Sequence, residues 1–329
     1  MKTFLSRTSR SVSRRVAVAL LAFSAPWALA QDYPNHLVRI IVPFAAGGPA
    51  DIYARFIAMH LQESLKQTFI VENKPGAGSI IGTDAVAKSA PDGYTLLLMS
   101  NTQTVNESLF ATKPYELLRD LAPIAPINSS DLVLVTRSTL PVGNLAELLR
   151  LAKSKPGSLT YASSGPGTPY HMAGELFKAM AGVSIVHIPY RGSSGARTGV
   201  LGGQVDMMFD AVPTMSEHIR AGSVKAMGTT GVTRSAVLPN VPTIAEAGVP
   251  KYEATIWLGL MAPKATPAAI VNRLNAEVSR IVGDPETARA WKAQGATPMV
   301  MNVADFTRYV QGDIAKWRRI VKISGAKVE

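Results

Sequence analysis

The chain has 329 residues, no cysteine, and 34 basic against 23 acidic side chains, which gives a formal net charge of +11. The lack of cysteine excludes disulfides, thiol catalysis and cysteine-ligated metal sites, and a chain of this length can bury a sufficient core without cross-links. The basic residues are spread along the chain without interleaved aromatic residues, so the charge suits anionic ligands better than nucleic acid.

The first 30 residues have the pattern of a cleaved secretory signal peptide. Five basic side chains precede an apolar run, and the segment ends in Ala28-Leu29-Ala30, with small residues at alternate positions. A membrane anchor would need about 20 unbroken apolar residues, and Ser24 and Pro26 interrupt this run. We expect cleavage after Ala30, export to the periplasm by the general or the twin-arginine route, and a mature charge of about +6.

Short apolar runs with β-branched residues alternate with amphipathic patterns along the rest of the chain. This alternation predicts an α/β fold with mainly parallel sheets, and the length favours two domains. Thr266-Pro267 and Asp284-Pro285 are typical helix starts. The predicted strands cover residues 37–42, 68–71, 95–99, 132–136, 159–162, 185–188, 205–209, 224–228 and 256–261.

The turn after the first predicted strand, residues 43–51, is rich in glycine. Gly47 and Gly48 allow the backbone to turn tightly and to approach a ligand closely. A helix that begins near Ala50, after Pro49, would point free amide groups into the turn, an arrangement that binds anions. An ordinary glycine-rich turn is the alternative.

Three further predicted strands end in small polar residues. Ser100-Asn101-Thr102 follows one strand, residues 163–168 follow another, and Asp210 follows the strand over 205–209, where it could equally cap the next helix. Ligands of open α/β sheets bind beyond the carboxyl ends of the strands. We therefore interpret the four turns as parts of one binding site.

The sequence favours binding over catalysis. His171 and Glu175 have the i, i+4 spacing of metal ligands, but no second pair supports them, and neither H-E-x-x-H nor G-x-S-x-G occurs. Residues 76–82 are one residue too long for G-x-G-x-x-G, and we interpret them as a helix-entry turn. We predict neither catalytic residues nor a cofactor or metal.

The order of these motifs resembles that of Bug-type proteins, the extracytoplasmic solute receptors of tripartite tricarboxylate transporters. The resemblance covers essentially the whole mature chain. It is carried by VRIIVPFAAGGPAD (38–51), VENKPGAG (71–78), PDGY (91–94), YASSG (161–165), HMAGELF (171–177), HIPYRG (187–192), GGQVD (202–206) and LPNVPTIAEAG (238–248).

The resemblance implies a type II periplasmic-binding-protein fold, in which two α/β domains close over one carboxylated ligand and are joined by two interdomain crossings. We place the crossings at residues 127–131 and 229–256. Residues 31–128 plus 250–329 would then form a discontinuous domain 1, and residues 129–249 would form domain 2.

The resemblance also implies site residues and partners. Family members hold a ligand carboxylate with backbone groups and ordered waters from the first loop, and with the Ser-Gly-rich loop of domain 2 on the other side. The implied partners of this receptor, which we expect to be a monomer, are a small carboxylate and the membrane subunits of the transporter. Two alternative functions are a sensory receptor that presents the bound ligand to a sensor kinase and an envelope hydrolase. Carried over by position, the ligand-binding residues are Phe44, Ala46, Gly48, Ala50, Asp51, Ser164, Gly165 and Thr168, with Asn101, His171 and Asp210 beside them.

The carboxylate itself is expected to meet backbone amides, hydroxyl groups and water. No arginine lies within the glycine-rich turns, so Ser164 and Thr168 are the predicted side-chain donors, with bridging water between them and the ligand. Arg191, which follows the strand that ends at Tyr190, is the rival candidate. Its alternative interpretation is a solvated surface residue at a hinge.

One segment departs from the family pattern. Where the family usually reads Ala-Leu-Thr-Asp, this chain has Ala196-Arg197-Thr198-Gly199. We expect the change to alter the exposed charge of a helix, and with it partner choice or ligand selectivity if that face meets the membrane partner or rims the cleft.

Overall fold

The computed structural model describes residues 33–326, and the predicted signal peptide lies outside the described residues. The chain from residue 36 onwards forms one unit by its internal contacts, and the elements and cavities discussed below belong to it. Within residues 33–326, no helix has both the length and the apolar character needed to cross a bilayer.

Strands and helices alternate through the described residues, as predicted. The strands are β1 (Val38–Val42), β2 (Phe69–Asn73), β3 (Thr95–Ser100), β4 (Leu121–Arg137), β5 (Thr160–Ser163), β6 (Val186–Pro189), β7 (Met207–Ala211), β8 (Val224–Thr229), β9 (Thr255–Pro263) and β10 (Ala296–Pro298). The helices are α1 (Pro49–Leu65), α2 (Ile80–Ala87), α3 (Asn101–Leu109), α4 (Leu117–Asp120), α5 (Leu145–Ser154), α6 (Pro169–Ala181), α7 (Ser193–Leu201), α8 (Val212–Arg220), α9 (Ala268–Gly283), α10 (Pro285–Gln294) and α11 (Val303–Ser324).

The strands form a ten-stranded sheet with the order β2-β1-β3-β9-β4-β7-β5-β6, and β8 and β10 pair along β4. The two flanks are parallel, since β1 pairs with β2 and β3, and β5 pairs with β6 and β7. The centre is antiparallel, because β9 pairs with both β3 and β4, and β4 pairs with β7. The prediction of mainly parallel sheets is therefore confirmed for the flanks and wrong for the centre.

Strand β4 connects the two flanks. Its residues up to Asp131 pair with β9, and its residues from Leu132 onwards pair with β7 and β8. The sequence analysis predicted only residues 132–136 of this strand. The residues before them include proline, which is unusual in a central strand. Pro123 and Pro126 are accommodated beside two register shifts in the pairing of β4 with β9, and such irregularities are where sheets tolerate proline.

Both flanks have buried cores, and the last helix contributes to the core of the β1–β3 flank and to a further cluster that includes residues of β5 and β7. Ile41 and Leu97 belong to the core of the β1–β3 flank, and Ala162 and Met208 belong to that of the β5–β7 flank. A further cluster contains residues of α3, α6 and α11, including Trp317 of α11. The C-terminal helix thus contributes to the burial of both halves of the sheet.

Helix starts agree with the sequence only in part. Asp284 caps α10, since its carboxylate accepts hydrogen bonds from the amides of Glu286 and Thr287 at 3.1 and 2.9 Å. The predicted cap at Thr266 is wrong, because α9 begins at Ala268 and its cap residue is Pro267. No side chain caps this helix.

Candidate ligand-binding site

Two adjoining cavities lie where loops from both flanks of the sheet meet. The large cavity has a volume of about 710 Å³ and is lined by residues 43–44, the turn 75–81, Phe110, the loop 164–168 and residues 189–191. The small cavity has a volume of about 20 Å³. It is lined by residues of the first loop and of β9, with Ser100, Ser164, Pro169, Tyr170 and Ser193.

The predicted site residues divide into two groups. One group lines a cavity and consists of Phe44, Gly48, Ala50, Ser164, Gly165 and Thr168. The other group lines neither cavity and consists of Ala46, Asp51, Asn101, His171 and Asp210. Members of the second group instead make contacts that hold the lining loops in place.

The first loop leads from β1 into α1, whose N-terminus faces the small cavity. Gly48 is the cap residue and Pro49 begins the helix, and no side chain caps it. A Cβ atom on Gly48 would lie only 2.7 Å from the Ser193 hydroxyl oxygen. The absence of a side chain therefore lets the start of α1 approach the start of α7 closely.

Asp51 holds the first loop from behind. Its carboxylate accepts hydrogen bonds from the Gly47 amide at 3.0 Å, from Arg55 Nε at 3.1 Å and from Asn73 Nδ2 at 3.0 Å. Burial acts to raise the pKa of Asp51, but the hydrogen bonds from Arg55, Gly47 and Asn73 outweigh it and leave that pKa below its usual value. The carboxylate is thus ionised and committed to the loop.

Facing the first loop is a segment that the sequence did not single out, the start of α7. The Ser194 hydroxyl donates a hydrogen bond of 2.9 Å to the Ala46 carbonyl oxygen, so this carbonyl group is already engaged. Ser193 lines the small cavity, and no side chain caps α7. The run Gly192-Ser193-Ser194, separated from the end of β6 by Tyr190 and Arg191, has the same small polar character as the predicted turns.

The Ser-Gly loop, residues 163–168, leads from β5 into α6. Thr168 is the cap residue, and its hydroxyl accepts from the His171 amide at 3.4 Å and donates to the Gly165 carbonyl at 2.7 Å. Ser164 lies on both cavities. Ser164 is therefore the better placed of the two predicted hydroxyl donors, because the proton of Thr168 is used within the loop.

A buried histidine, His171, and a partly buried one, His187, support the Ser-Gly loop. Nδ1 of His171 accepts the Gly167 amide at 3.1 Å, and Nε2 of His187 lies 2.6 Å from the Ser163 hydroxyl oxygen. Burial lowers the pKa of His171 to about 4, with a smaller effect from Lys178, and burial lowers the pKa of His187 to about 3. Both rings are neutral at neutral pH, which the acceptor role of His171 requires.

The predicted turn at residues 100–102 is a direct passage from strand to helix. Ser100 ends β3 and caps α3 in a capping box with Gln103. The Asn101 amide group donates to the Thr255 carbonyl at 2.9 Å. Its buried Oδ1 has no hydrogen-bond partner among residues 33–326. Ser100, rather than Asn101, lines the small cavity.

Asp210 lies within β7 and not after it, so the expectation that it ends a strand or caps a helix is wrong. Its wholly buried carboxylate accepts from Arg197 Nε at 2.9 Å, and Arg197 Nη2 lies 2.8 Å away. The Arg197 side chain is only 13% exposed. The departure from the family pattern therefore changes an interior ion pair, and the expectation of an altered exposed charge at Arg197 is wrong. A Cβ atom on Gly199 would collide with the Tyr190 hydroxyl.

Tyr170, in the first turn of α6, is a further residue that the sequence did not indicate. It lines the small cavity, and its hydroxyl lies beside Ser193. Within the described residues this hydroxyl makes no hydrogen bond of good geometry. Burial raises the pKa of Tyr170 far above its usual value, so the group is available as a hydrogen-bond donor.

The helix-entry turn predicted at residues 76–82 is confirmed, since α2 begins at Ile80. Ala77 and Ser79 have positive φ angles of 45° and 76°, a conformation that costs roughly 1–3 kcal/mol at each non-glycine residue. Gln103 Nε2 donates to Ser79 Oγ at 3.1 Å, and Asn106 Nδ2 donates to the Gly78 carbonyl at 2.8 Å. Helix α3 thus holds a strained turn against the large cavity.

Comparison with known proteins identifies the family. The sequence profile described as "Tripartite tricarboxylate transporter family receptor" matches residues 53–326. This chain belongs to that family. Solute receptors of this family are periplasmic binding proteins, and the type II fold expected from the motifs is confirmed by the solved structures that it resembles.

Three of these structures are similar over nearly the whole receptor. R. palustris Rpa4515 with adipate is 34% identical, with a TM-score of 0.87, and the match covers 90% of this chain and 100% of that one. The periplasmic binding protein BugD is 34% identical, with a TM-score of 0.86 and the same coverage. MatC from Rhodopseudomonas palustris with bound malate is 32% identical, with a TM-score of 0.83, covering 88% of this chain and 100% of that one.

Proposed function

We propose that this receptor captures a small carboxylate between the first loop and the Ser-Gly loop and delivers it to a tripartite-type membrane transporter. One observation carries the proposal. The starts of α1, α3, α6 and α7 all contribute to the small cavity, and no acidic side chain of residues 33–326 lines either cavity. Each helix start carries roughly half a positive charge and offers backbone amides, so an anion is favoured there. The binding of adipate and malate by two relatives supports this choice.

The carboxylate meets backbone groups of Gly48 and Ala50, with the Ser164 hydroxyl and bridging water. Gly165 shapes the loop, because its amide already donates to the Ser163 hydroxyl at 3.1 Å. Phe44 and Thr168 shape the cavity walls, and Tyr170 and Ser193 are added to the set on the basis of their positions. Ala46, Asp51, Asn101, His171 and Asp210 act through the loops that they hold.

The protein acts in the periplasm as a monomer, after cleavage behind Ala30. The basic and apolar pattern of residues 1–30 and the periplasmic location of the family support this part of the proposal, and the intact mass of the periplasmic protein is the measurement that checks it. Presentation of the bound form to a sensor kinase would use the same cavities. Loss of carboxylate uptake in a strain without this receptor would favour transport over such signalling.

A thermal-shift screen tests carboxylate capture. An acid present at one hundred times its Kd should raise the free energy of unfolding by about 2.7 kcal/mol, which corresponds to an increase in Tm of about 4 °C for a chain of this size. Neutral amides of the same acids are the control and should leave Tm unchanged. A response to neutral solutes, with none to any acid, would contradict the proposal.

Ligand entry should require the two domains proposed above to separate. A cavity of about 20 Å³ has room for little more than one water molecule, and the hydrogen bond from Ser194 to Ala46 closes the space between the loops. Residues 31–128 plus 250–329 would rotate against residues 129–249, with hinges at residues 127–131 and 229–256.

Small-angle scattering can detect this motion. We expect a larger radius of gyration for the ligand-free protein than for the protein saturated with acid, because the liganded cleft is held shut from both sides. An equal radius in both states would rule out hinge opening as the route of entry.

A further inference from the structure

The walls of the large cavity are mainly apolar. They include Phe44, Phe110 and Ile81, with four proline rings from residues 43, 75, 166 and 189. Arg191 is the one charged side chain among the lining residues that the structure describes. A volume of about 710 Å³ is in the range of small-molecule pockets, which are typically apolar with a few polar groups that orient the ligand.

The exposure of Ile81 indicates that a ligand covers this apolar wall. Its side chain is 55% exposed although it lies in a concave site, and exposed apolar surface rimmed by polar groups often marks a binding site. The fold gains little from Ile81 as it stands. A ligand with apolar surface would bury it.

Two polar side chains on the cavity wall, Ser79 and Thr168, already have hydrogen-bond partners. The Ser79 hydroxyl accepts from Gln103 at 3.1 Å, and the Thr168 hydroxyl donates to the Gly165 carbonyl at 2.7 Å. An acid with hydroxyl groups along its body would lose hydration without gaining enough partners, which disfavours its burial. The walls therefore select against small hydroxylated acids.

Proline and phenylalanine rings form much of the wall of the large cavity. A ligand that itself contains a rigid ring fits this wall best. Proline side chains keep a fixed shape, and aromatic rings such as those of Phe44 and Phe110 pack favourably against other rings. A flexible alkyl chain would lose rotational freedom on binding to the same surface, whereas a ring would not.

We propose that the ligand is an aromatic carboxylate, with its carboxylate directed toward the small cavity and its ring between Ile81 and Phe110 in the large cavity. This assignment rests on the proposed function of carboxylate capture. Arg191 lines the same cavity, and its positive charge favours a second anionic group on the ring.

Calorimetry with benzoate, benzene-1,4-dicarboxylate, malate and adipate tests the assignment. We expect the better aromatic acid to bind at least about tenfold more tightly than malate or adipate, a difference of the size that a buried ring can supply. Ile81→Ser should weaken binding of that aromatic acid by about threefold or more. Val232→Ser is the matched control, because Val232 is 75% exposed and lies outside both cavities, and it should leave the affinity unchanged.

The outcomes separate the two proposals. Equal or tighter binding of malate or adipate overturns the aromatic assignment and leaves carboxylate capture intact, and so does an aromatic affinity that Ile81→Ser does not change. Failure of every acid to bind here and in the thermal-shift screen overturns both proposals. Arg191→Gln should weaken binding of benzene-1,4-dicarboxylate more than that of benzoate, and the reverse order would contradict the role assigned to Arg191.

Discussion

Replacement of Arg197 by leucine is expected to lower the free energy of unfolding by about 3–5 kcal/mol, because it leaves a buried carboxylate without its partner. Asp210 is fully buried, and Arg197 supplies its only cationic contact among the ion pairs of the described residues. The family resemblance leads us to expect leucine at this position, so a loss of stability on Arg197→Leu would mean that Arg197 and Asp210 depend on each other in this chain. Chemical denaturation monitored by circular dichroism gives the value.

Two further variants make the Arg197 experiment decisive. Arg197→Leu combined with Asp210→Asn should recover much of the lost stability, because it removes the unpaired charge together with its partner. Arg150→Leu is the control, since the Arg150 side chain is 78% exposed, and it should leave Tm unchanged. A loss below about 1 kcal/mol for Arg197→Leu would mean that the pair contributes no more than an exposed ion pair.

Acidification is expected to destabilise the receptor between pH 6.5 and about 4, partly through His171. The folded-state pKa of His171 is lowered to about 4, so above pH 6.5 the ring is neutral in both states and contributes nothing. Between these values only the unfolded state takes up the proton, and the free energy of unfolding falls as pH falls. A shift of this size corresponds to roughly 3 kcal/mol, and the loss is complete below pH 4.

Comparison with a variant isolates the histidine contribution. Asp313 has the opposite effect, because burial raises its pKa to about 6, so it favours the folded state as pH falls through that value. His171→Gln keeps an acceptor for the Gly167 amide and removes the titrating ring. Its stability should therefore fall less than that of the wild-type protein between pH 6.5 and 4. Parallel stability curves for the two proteins would contradict the account.

Protonation of His171 in the folded receptor should weaken ligand binding. A protonated His171 cannot accept the Gly167 amide, which it does at 3.1 Å in the neutral form, and His187 supports Ser163 in the same loop. Loss of these contacts would release the Ser-Gly loop that lines both cavities. Because the folded-state pKa of His171 is about 4, affinity is expected to decline as pH falls through about 4, below most of the range in which stability is lost.

The sequence predicted those parts of the site that depend on local chemistry. The glycine-rich first loop and the Ser-Gly loop stand out because tight turns and helix starts need particular residues within a few positions. The strands of both flanks were found within two residues of their observed ends, apart from the long strand β4 and the short β10, because apolar β-branched runs are local signals as well.

Features that depend on distant partners could not be predicted in this way. Arg197 of α7 pairs with Asp210 of β7, and the local sequence of neither segment indicates this pairing. Tyr170 and Phe110 are typical core residues by their local patterns, and only the fold places them beside a cavity. The antiparallel centre of the sheet likewise follows from the course of β4 and β9 through both halves.

The most direct test of the central claim is a crystal structure of the receptor with the acid that gives the largest thermal shift. The account predicts that the carboxylate lies between the first loop and the Ser-Gly loop, within about 3.2 Å of backbone amides at the start of α1 or of the Ser164 hydroxyl, directly or through one water. A carboxylate held by a bidentate contact to Arg191, with the helix starts of the small cavity left without an anion, would contradict it.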